Sequence, residues 1–101
     1  MTTSLPISRE EIADFCHRWK LAEFSIFGSI LRQDFRPDSD IDVLIQLLPG
    51  ETMSIERYLG MRDELIALFG GREVDLVEKP LLRNPIRRKE ILRTREVLYA
   101  A

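Results

Sequence analysis

The sequence predicts an α/β fold in which a small β-sheet packs against helices. Short apolar segments with the two-residue period of strands alternate along the chain with segments that have the period of amphipathic helices. The connections between these segments are short, and no internal repeat or low-complexity tract interrupts them. Because 101 residues suit one hydrophobic core, we expect a single domain over residues 1–101.

Two elements precede a tight turn. A helix is predicted over residues 8–20, because Ser8 and Glu11 have the spacing of a capping box at its start. A short apolar strand is predicted over residues 21–27, and it ends at Gly28. The buried stripe of the helix is predicted to contain Ile12, Phe15, Cys16 and Trp19.

The centre of the chain contains a helical stretch, a loop and a second strand. The helical stretch is predicted over residues 29–34. Residues 36–39 are typical of a loop, because proline fixes φ and the polar side chains can bond to nearby backbone. The strand follows over residues 40–48. It is apolar on both faces after Asp42, which is typical of a central strand covered on each side.

Three more segments complete the predicted fold. A helix over residues 54–69 begins at a capping serine and ends before two glycines. A third strand is predicted over residues 73–78, with Val74 and Leu76 on one face and Asp75 and Val77 on the other. Asparagine and proline begin a last helix over residues 84–95, and a short apolar end, residues 97–99, lies after it.

The composition excludes several functional classes. The formal net charge is −2, from 15 basic and 17 acidic residues, so we expect no general attraction to nucleic acid and no long duplex DNA as a partner. Cys16 is the only cysteine, which excludes an intramolecular disulfide and a cysteine-based zinc site. No apolar run reaches membrane length and no signal-peptide pattern is present, so we expect a cytoplasmic protein without a membrane partner.

Two aspartates begin the second predicted strand. Positions two apart share a face of a strand, so the carboxylates of Asp40 and Asp42 are directed to the same point. Carboxylate oxygens are ligands that Mg²⁺ prefers, with water and substrate phosphate as its remaining ligands. The alternative is that Asp40 belongs to a capped turn and Asp42 is solvated at a strand end. Taken alone, an Asp-x-Asp pattern favours this alternative.

Two further features favour the metal interpretation. Gly28 and Ser29 lie between a strand and a helix, where glycine permits close backbone approach and helix N-terminal N–H groups favour phosphate. Asp75 lies in the otherwise apolar third strand, where an unpaired carboxylate would be costly to bury. If this strand lies beside the second, Asp75 can face Asp42 and complete a cluster of three carboxylates. The alternatives are that Gly28 and Ser29 form a plain turn and that Asp75 is solvated on an edge strand.

Together, Gly28-Ser29, Asp40-Ile41-Asp42 and Asp75 resemble the signature of the nucleotidyltransferase superfamily that includes DNA polymerase beta. The match is closest to the minimal nucleotidyltransferase (MNT) family, and it covers nearly the whole chain. The resemblance implies the nucleotidyltransferase fold, with a small mixed β-sheet flanked by helices. Small members often have Arg-Gly where this chain has Arg32-Gln33, which leaves Arg32 as either a phosphate contact or a solvated helix-end residue.

The resemblance also implies a mechanism. The three aspartates would be catalytic and would bind Mg²⁺, and two ions could stabilise the attacking and the leaving oxygen of an in-line displacement. Gly28, Ser29 and Arg32 would bind the nucleotide, which we expect to be ATP. A nucleoside monophosphate would pass to a hydroxyl acceptor, and pyrophosphate would be released.

The acceptor implied by the resemblance is a protein. MNT proteins resemble antitoxins that pair with a HEPN-domain ribonuclease toxin, and some transfer AMP from ATP to a tyrosine of that toxin. Two alternatives stay open: a binding module that neutralises its partner by complex formation alone, and transfer to a small aminoglycoside-like alcohol. The sequence also leaves open whether a homo-oligomer forms.

Other chemically notable residues have simpler explanations. A basic run near the C-terminus could face triphosphate, RNA or an acidic partner, but such a run is more typical of a solvated helix face. His17 is expected at the surface, whereas Trp19 and Tyr58 are expected in the core. The basic residues concerned are Arg83, Arg87, Arg88, Lys89, Arg93 and Arg95.

Overall fold

A computed structural model of the chain describes residues 7–28 and 40–101. Within these residues, the chain forms three α-helices, four β-strands and one short 3₁₀-helix. In chain order, they are α1 (Arg9–Arg18), β1 (Leu21–Phe27), β2 (Ile41–Leu47), α2 (Ile55–Leu68), β3 (Val74–Glu78), the 3₁₀-helix (Lys79–Leu81), α3 (Pro85–Thr94) and β4 (Glu96–Ala100).

The four strands form one sheet in the order β3-β2-β1-β4. β2 pairs in parallel with β3 and antiparallel with β1, and β4 pairs antiparallel with the other side of β1. The predicted mixed sheet flanked by helices is therefore confirmed. β2 is a central strand, as predicted from the apolar residues on both of its faces. None of the helices within residues 7–28 and 40–101 has the length and apolar character that crossing a bilayer requires.

Side-chain caps fix the points where the helices begin. Ser8 Oγ accepts the backbone N–H of Glu11 at 3.1 Å, and Glu11 Oε1 accepts the N–H of Ser8 at 2.9 Å, which is the predicted capping box. Ser54 and Asn84 likewise cap α2 and α3. α1 ends before its predicted limit, because Lys20 adopts a positive φ of 60° that a helix cannot continue.

The last strand, β4, is an element that the sequence pattern did not predict. Residues 97–99 read only as a short apolar end, because so few residues show no clear period. In the structure they pair with β1, where Tyr99 is opposite Phe24, and the register then shifts between Phe24 and Ser25. This pairing covers the side of β1 that β2 leaves open.

Two apolar layers cover the two faces of the sheet. The larger layer packs α1 and α2 against one face and includes the fully buried Phe15, Phe24 and Met61. Cys16 lies in this layer as predicted, and burial raises the pKa of its thiol to about 12, so the thiol stays protonated at neutral pH. The smaller layer, under α3, contains Phe27, Leu44, Leu82 and Ile91, with Val77 and Leu92 packed against it.

Glu64 of α2 joins the two helices of the larger layer. Its carboxylate accepts hydrogen bonds from Arg18 Nη1 at 2.9 Å and from Trp19 Nε1 at 3.0 Å. A Cβ at Gly60 would lie 2.9 Å from Trp19 Cη2, so the glycine makes room for the indole, which packs partly buried as predicted. The hydrogen bonds from Arg18 lower the pKa of Glu64, against an opposing effect of partial burial.

We expect Glu64→Gln to lower the free energy of unfolding most at neutral pH. Because the pKa of Glu64 in the folded protein lies below its ordinary value of 4.5, the stabilisation is complete above that value and is lost as the pH falls through the folded pKa. Urea unfolding should therefore show a difference between the two proteins that shrinks below pH 4.5.

Asp63→Asn is the matched control, because Asp63 is an exposed carboxylate on the same helix. It should change the free energy of unfolding by no more than about 0.5 kcal/mol at any pH. A Glu64→Gln difference that stayed constant from neutral to acid pH would show that the charge of Glu64 does not stabilise the junction.

Candidate active site

Three strand ends meet at one edge of the sheet. β1 runs antiparallel to β2 and β3 runs parallel to β2, so the end of β1 lies beside the start of β2, which in turn lies beside the start of β3. Phe27 is opposite Asp42 across one ladder, and Asp42 is opposite Asp75 across the other. The topology therefore places Asp42 between the glycine turn that follows β1 and the carboxylate of β3.

Asp42 and Asp75 share one face of the sheet, because directly opposed residues on neighbouring strands point the same way. This is the face that α3 covers, since Leu44 and Val77, two residues further along each strand, pack in the α3 layer. Asp75 is exposed and Asp42 is half-buried. The pair thus lies at the margin between the apolar layer and solvent.

Gly28 brings the backbone of the turn against the carboxylate of Asp42. A Cβ at position 28 would lie 3.2 Å from Asp42 Cγ and closer still to Oδ2, which real Cβ atoms do not tolerate. The φ of Gly28 is +76°, in the region that side chains disfavour. The conformation therefore favours glycine here, and a Cβ at this position would displace the Asp42 carboxylate.

Asp40 lies just before β2 and is exposed. The next residue, Ile41, donates its backbone N–H to the carbonyl oxygen of Glu73 at 2.9 Å, which ties the starts of β2 and β3 together. Among residues 7–28 and 40–101, no three His, Cys, Asp or Glu side chains are grouped closely enough to hold a metal ion. The strands thus pair Asp42 with Asp75, but Asp40 does not complete a cluster of three carboxylates in this conformation.

Two of the predicted nucleotide-binding residues, Ser29 and Arg32, lie outside the described residues. The predicted helical stretch over residues 29–34 and the loop over residues 36–39 lie outside them as well. Of the three residues predicted to bind the nucleotide, the structure therefore describes Gly28.

A largely buried ionic cluster lies under α3, on the same face as the paired aspartates. The carboxylate of Glu23 pairs with Lys79 Nζ at 3.2 Å and with the guanidinium of Arg95, and Ser25 Oγ donates to it at 3.3 Å. The side chains of Glu23, Lys79 and Arg95 are only 16%, 20% and 18% exposed. Lys79 begins the connection from β3 to β4 and Arg95 ends it, so Glu23 holds both ends of the α3 segment against β1.

This cluster corrects part of the sequence interpretation of the basic run. Arg95 was expected on a solvated helix face, but its guanidinium is buried against Glu23. Arg88 is half-buried and donates to the carbonyl oxygen of Lys79 at 3.1 Å. Strand parity could have revealed the cluster, because Glu23 shares a strand face with buried residues two and four positions later. The rest of the run is exposed as expected: Arg83, Arg87, Lys89 and Arg93.

Comparison with known proteins identifies the family. Residues 9–98 match the model of the nucleotidyltransferase domain family. The chain belongs to this family. It is therefore a nucleotidyltransferase, and its substrate is a nucleotide, as the resemblance implied. Over 82 residues, which are 81% of this chain and 77% of the relative, it is 38% identical to the protein adenylyltransferase MntA of Thermococcus cleftensis.

Solved structures agree with this assignment. A protein assigned as a minimal nucleotidyltransferase matches with a TM-score of 0.70 and 31% identity, covering 87% of this chain and 86% of that one, which confirms the resemblance to the MNT family. The complex of a tri-AMPylated Shewanella oneidensis HEPN toxin with an MNT antitoxin contains a chain that matches with a TM-score of 0.65. That match has 17% identity over 92% of this nucleotidyltransferase and 70% of the other chain, and it concerns the fold.

We expect Gly28→Ala to reduce nucleotidyl transfer at least about tenfold, because the new methyl group must displace the Asp42 carboxylate. Gly50→Ala is the matched control: Gly50 has a similar φ of +87°, but a Cβ there would meet no atom within 4 Å. Both variants should lose roughly 1–2 kcal/mol of unfolding free energy from the left-handed backbone.

Pyrophosphate release and urea unfolding, measured on both glycine variants, separate the two effects. Only Gly28→Ala should lose activity beyond what its stability explains. Equal activities for Gly28→Ala and Gly50→Ala would mean that the contact between Gly28 and Asp42 is unimportant for the reaction.

Proposed function

We propose that this nucleotidyltransferase transfers AMP from ATP to a protein hydroxyl, and that the acceptor is a tyrosine of a HEPN-domain toxin. The transfer would make the chain an antitoxin. The observation that carries the proposal is the pairing of Asp42 with Asp75 beside Gly28, in a chain 38% identical to a protein adenylyltransferase. The AMPylated HEPN toxin in the complex described above supports the same class of acceptor.

The paired carboxylates suit Mg²⁺. Two carboxylates side by side repel each other unless a cation lies between them, and Mg²⁺ in nucleotide sites commonly uses one or two carboxylates together with water and phosphate. Asp42 and Asp75 would hold the ion, and the exposed Asp40 would turn toward it from just before β2. When bound, Mg²⁺ supplies charge neutralisation for the triphosphate.

The residues of the chain would position both reactants. Gly28 and Ser29 would cradle the outer phosphates, and Arg32 would add a cationic contact. Asp75, exposed at the margin of the site, would orient the acceptor hydroxyl and accept its proton. The hydroxyl oxygen would bond to the α-phosphorus while the bond from that phosphorus to the bridging oxygen of the β-phosphate breaks. Pyrophosphate would then leave.

We also propose that the reaction takes place in the cytoplasm, where ATP and a ribonuclease toxin would both be found, and that residues 1–101 act as one functional domain. The family match, which extends over residues 9–98, supports the second part.

The proposal predicts that a HEPN-domain protein is encoded next to this chain, and that the purified chain, given ATP and MgCl₂, adds the mass of AMP to that protein. Asp42→Asn and Asp75→Asn should each lower the initial rate about a hundredfold or more, because each removes a carboxylate that would hold Mg²⁺, and Asp75→Asn also removes the group that would accept the hydroxyl proton. Intact-mass spectrometry of the acceptor and pyrophosphate release measure the two products.

Asp63→Asn, which makes the same chemical change at an exposed position of α2, should leave the rate within about twofold of that of the wild type. Omission of MgCl₂ should abolish transfer. No AMP on the acceptor under conditions where the complex forms would exclude the adenylyltransferase proposal. Protection of cells by Asp42→Asn at the wild-type level would instead indicate neutralisation by complex formation alone.

A further inference from the structure

An open apolar groove lies between the start of α2 and the end of β3. Its volume is about 340 Å³. The segment that enters α2 forms one wall, and the end of β3 with the 3₁₀-helix forms the other. The groove is lined by Met53, Ser54, Ile55, Tyr58, Glu78 and Leu81.

The groove exposes large aliphatic side chains that contribute little to folding. Ile55 is 79% exposed and Leu81 is 61% exposed, one on each wall. Leu59 is 48% exposed and lies one helical turn after Ile55, which extends the apolar strip along α2. A small domain gains almost no unfolding free energy from side chains that remain in water, so these residues favour a binding role.

Within the described part of the chain, Glu78 is the one polar residue of the lining whose side chain has no hydrogen-bond or ion-pair partner. The hydroxyl of Ser54 accepts the backbone N–H of Arg57 at 3.1 Å, and the hydroxyl of Tyr58 donates to the carbonyl oxygen of Leu76 at 2.8 Å. Glu78 precedes the 3₁₀-helix, but its side chain makes no cap hydrogen bond. It is half-buried beside apolar side chains, where a carboxylate gains most from an added cation.

The groove lies close to the active site but does not cover it. β3 is an edge strand of the sheet, and its alternation directs Asp75 to the α3 face and Glu78 to the opposite face. They are three positions apart, which is about 10 Å along the strand. A protein seated in the groove would therefore lie along the side of β3 that faces away from β2, from which a flexible segment could reach the paired aspartates.

We propose that this groove binds the protein acceptor, through a segment with apolar side chains for the strip formed by Ile55, Leu59 and Leu81 and a Lys or Arg that pairs with Glu78. The inference rests on the proposed function, because it assumes that the acceptor is a protein. Among the residues that the structure describes, the side chains that line the groove include no cationic group that could pair with phosphate, so the groove does not suit a nucleotide or a nucleic acid. The groove would hold the acceptor while the carboxylates act on its hydroxyl.

Ile55→Ser and Glu78→Gln test the two parts of the groove, with Ile86→Ser as the matched control. Ile86 is an isoleucine with similar exposure, 82%, but it lies on α3 outside the groove. Affinity for the HEPN-domain protein is measured by calorimetry, and AMP transfer is measured over a range of acceptor concentrations. Each groove variant should weaken binding about tenfold, and Ile86→Ser should stay within twofold of the wild type.

The kinetic readout separates docking from chemistry. The groove variants should raise the KM for the acceptor about tenfold and leave kcat unchanged at saturating acceptor, since no groove residue contacts the reacting atoms. Added salt should weaken the binding of the acceptor to the wild type more than its binding to Glu78→Gln, because the proposed ion pair between Glu78 and a Lys or Arg of the acceptor is partly exposed.

Three outcomes would overturn the inference. If the wild type binds and modifies the acceptor and Ile55→Ser does so equally well, the groove is not the docking surface and the proposed function stands. If Ile55→Ser instead converts a dimer of this chain to a monomer in light scattering, the occupant is a second copy. If the wild type neither binds nor modifies the acceptor, the proposed function and the inference fail together.

Discussion

The register of β2 against its two neighbours is the constraint on which the candidate site depends. Antiparallel pairing with β1 brings the glycine turn to the start of β2, and parallel pairing with β3 brings Asp75 level with Asp42. The site needs one antiparallel and one parallel neighbour of β2, because this combination brings one strand end and two strand starts to the same edge of the sheet. A mixed sheet is therefore a requirement of the site and not an incidental feature of the fold.

The apolar packing on each face maintains this register. On one side, α1 and α2 cover the strands with most of the core, and Glu64 links the two helices through Arg18 and Trp19. On the other side, the layer under α3 is small, and charge supplements it: Glu23 holds Lys79 and Arg95, which bound the α3 segment. Removing one partner of such a pair leaves a buried charge, so this cluster ties α3 firmly to the face that carries the paired aspartates.

Local signals explain why much of the fold could be predicted from the sequence. Ser8, Ser54 and Asn84 cap the helices at the predicted positions. Strand alternation predicted the faces of Asp42 and Asp75, and the pairing of β2 with β3 places these two residues opposite each other. Long-range features could not be predicted in this way. β4 becomes a strand only because the side of β1 is open, and the partners of Glu23 come from residues 56 and 72 positions away in the sequence. The position of Asp40 relative to the pair likewise depends on conformation just outside a strand, where no period constrains it.

One five-residue strand, β3, serves two surfaces at once. Its alternation turns Asp75 toward Asp42 on one face and Glu78 toward the apolar groove on the other, while Val74 and Leu76 fill the core. Losing or gaining a single residue between positions 74 and 78 would exchange the faces and direct core side chains into water. An insertion or deletion within β3 would therefore disrupt both surfaces at once, whereas a substitution can alter one surface and leave the other unchanged.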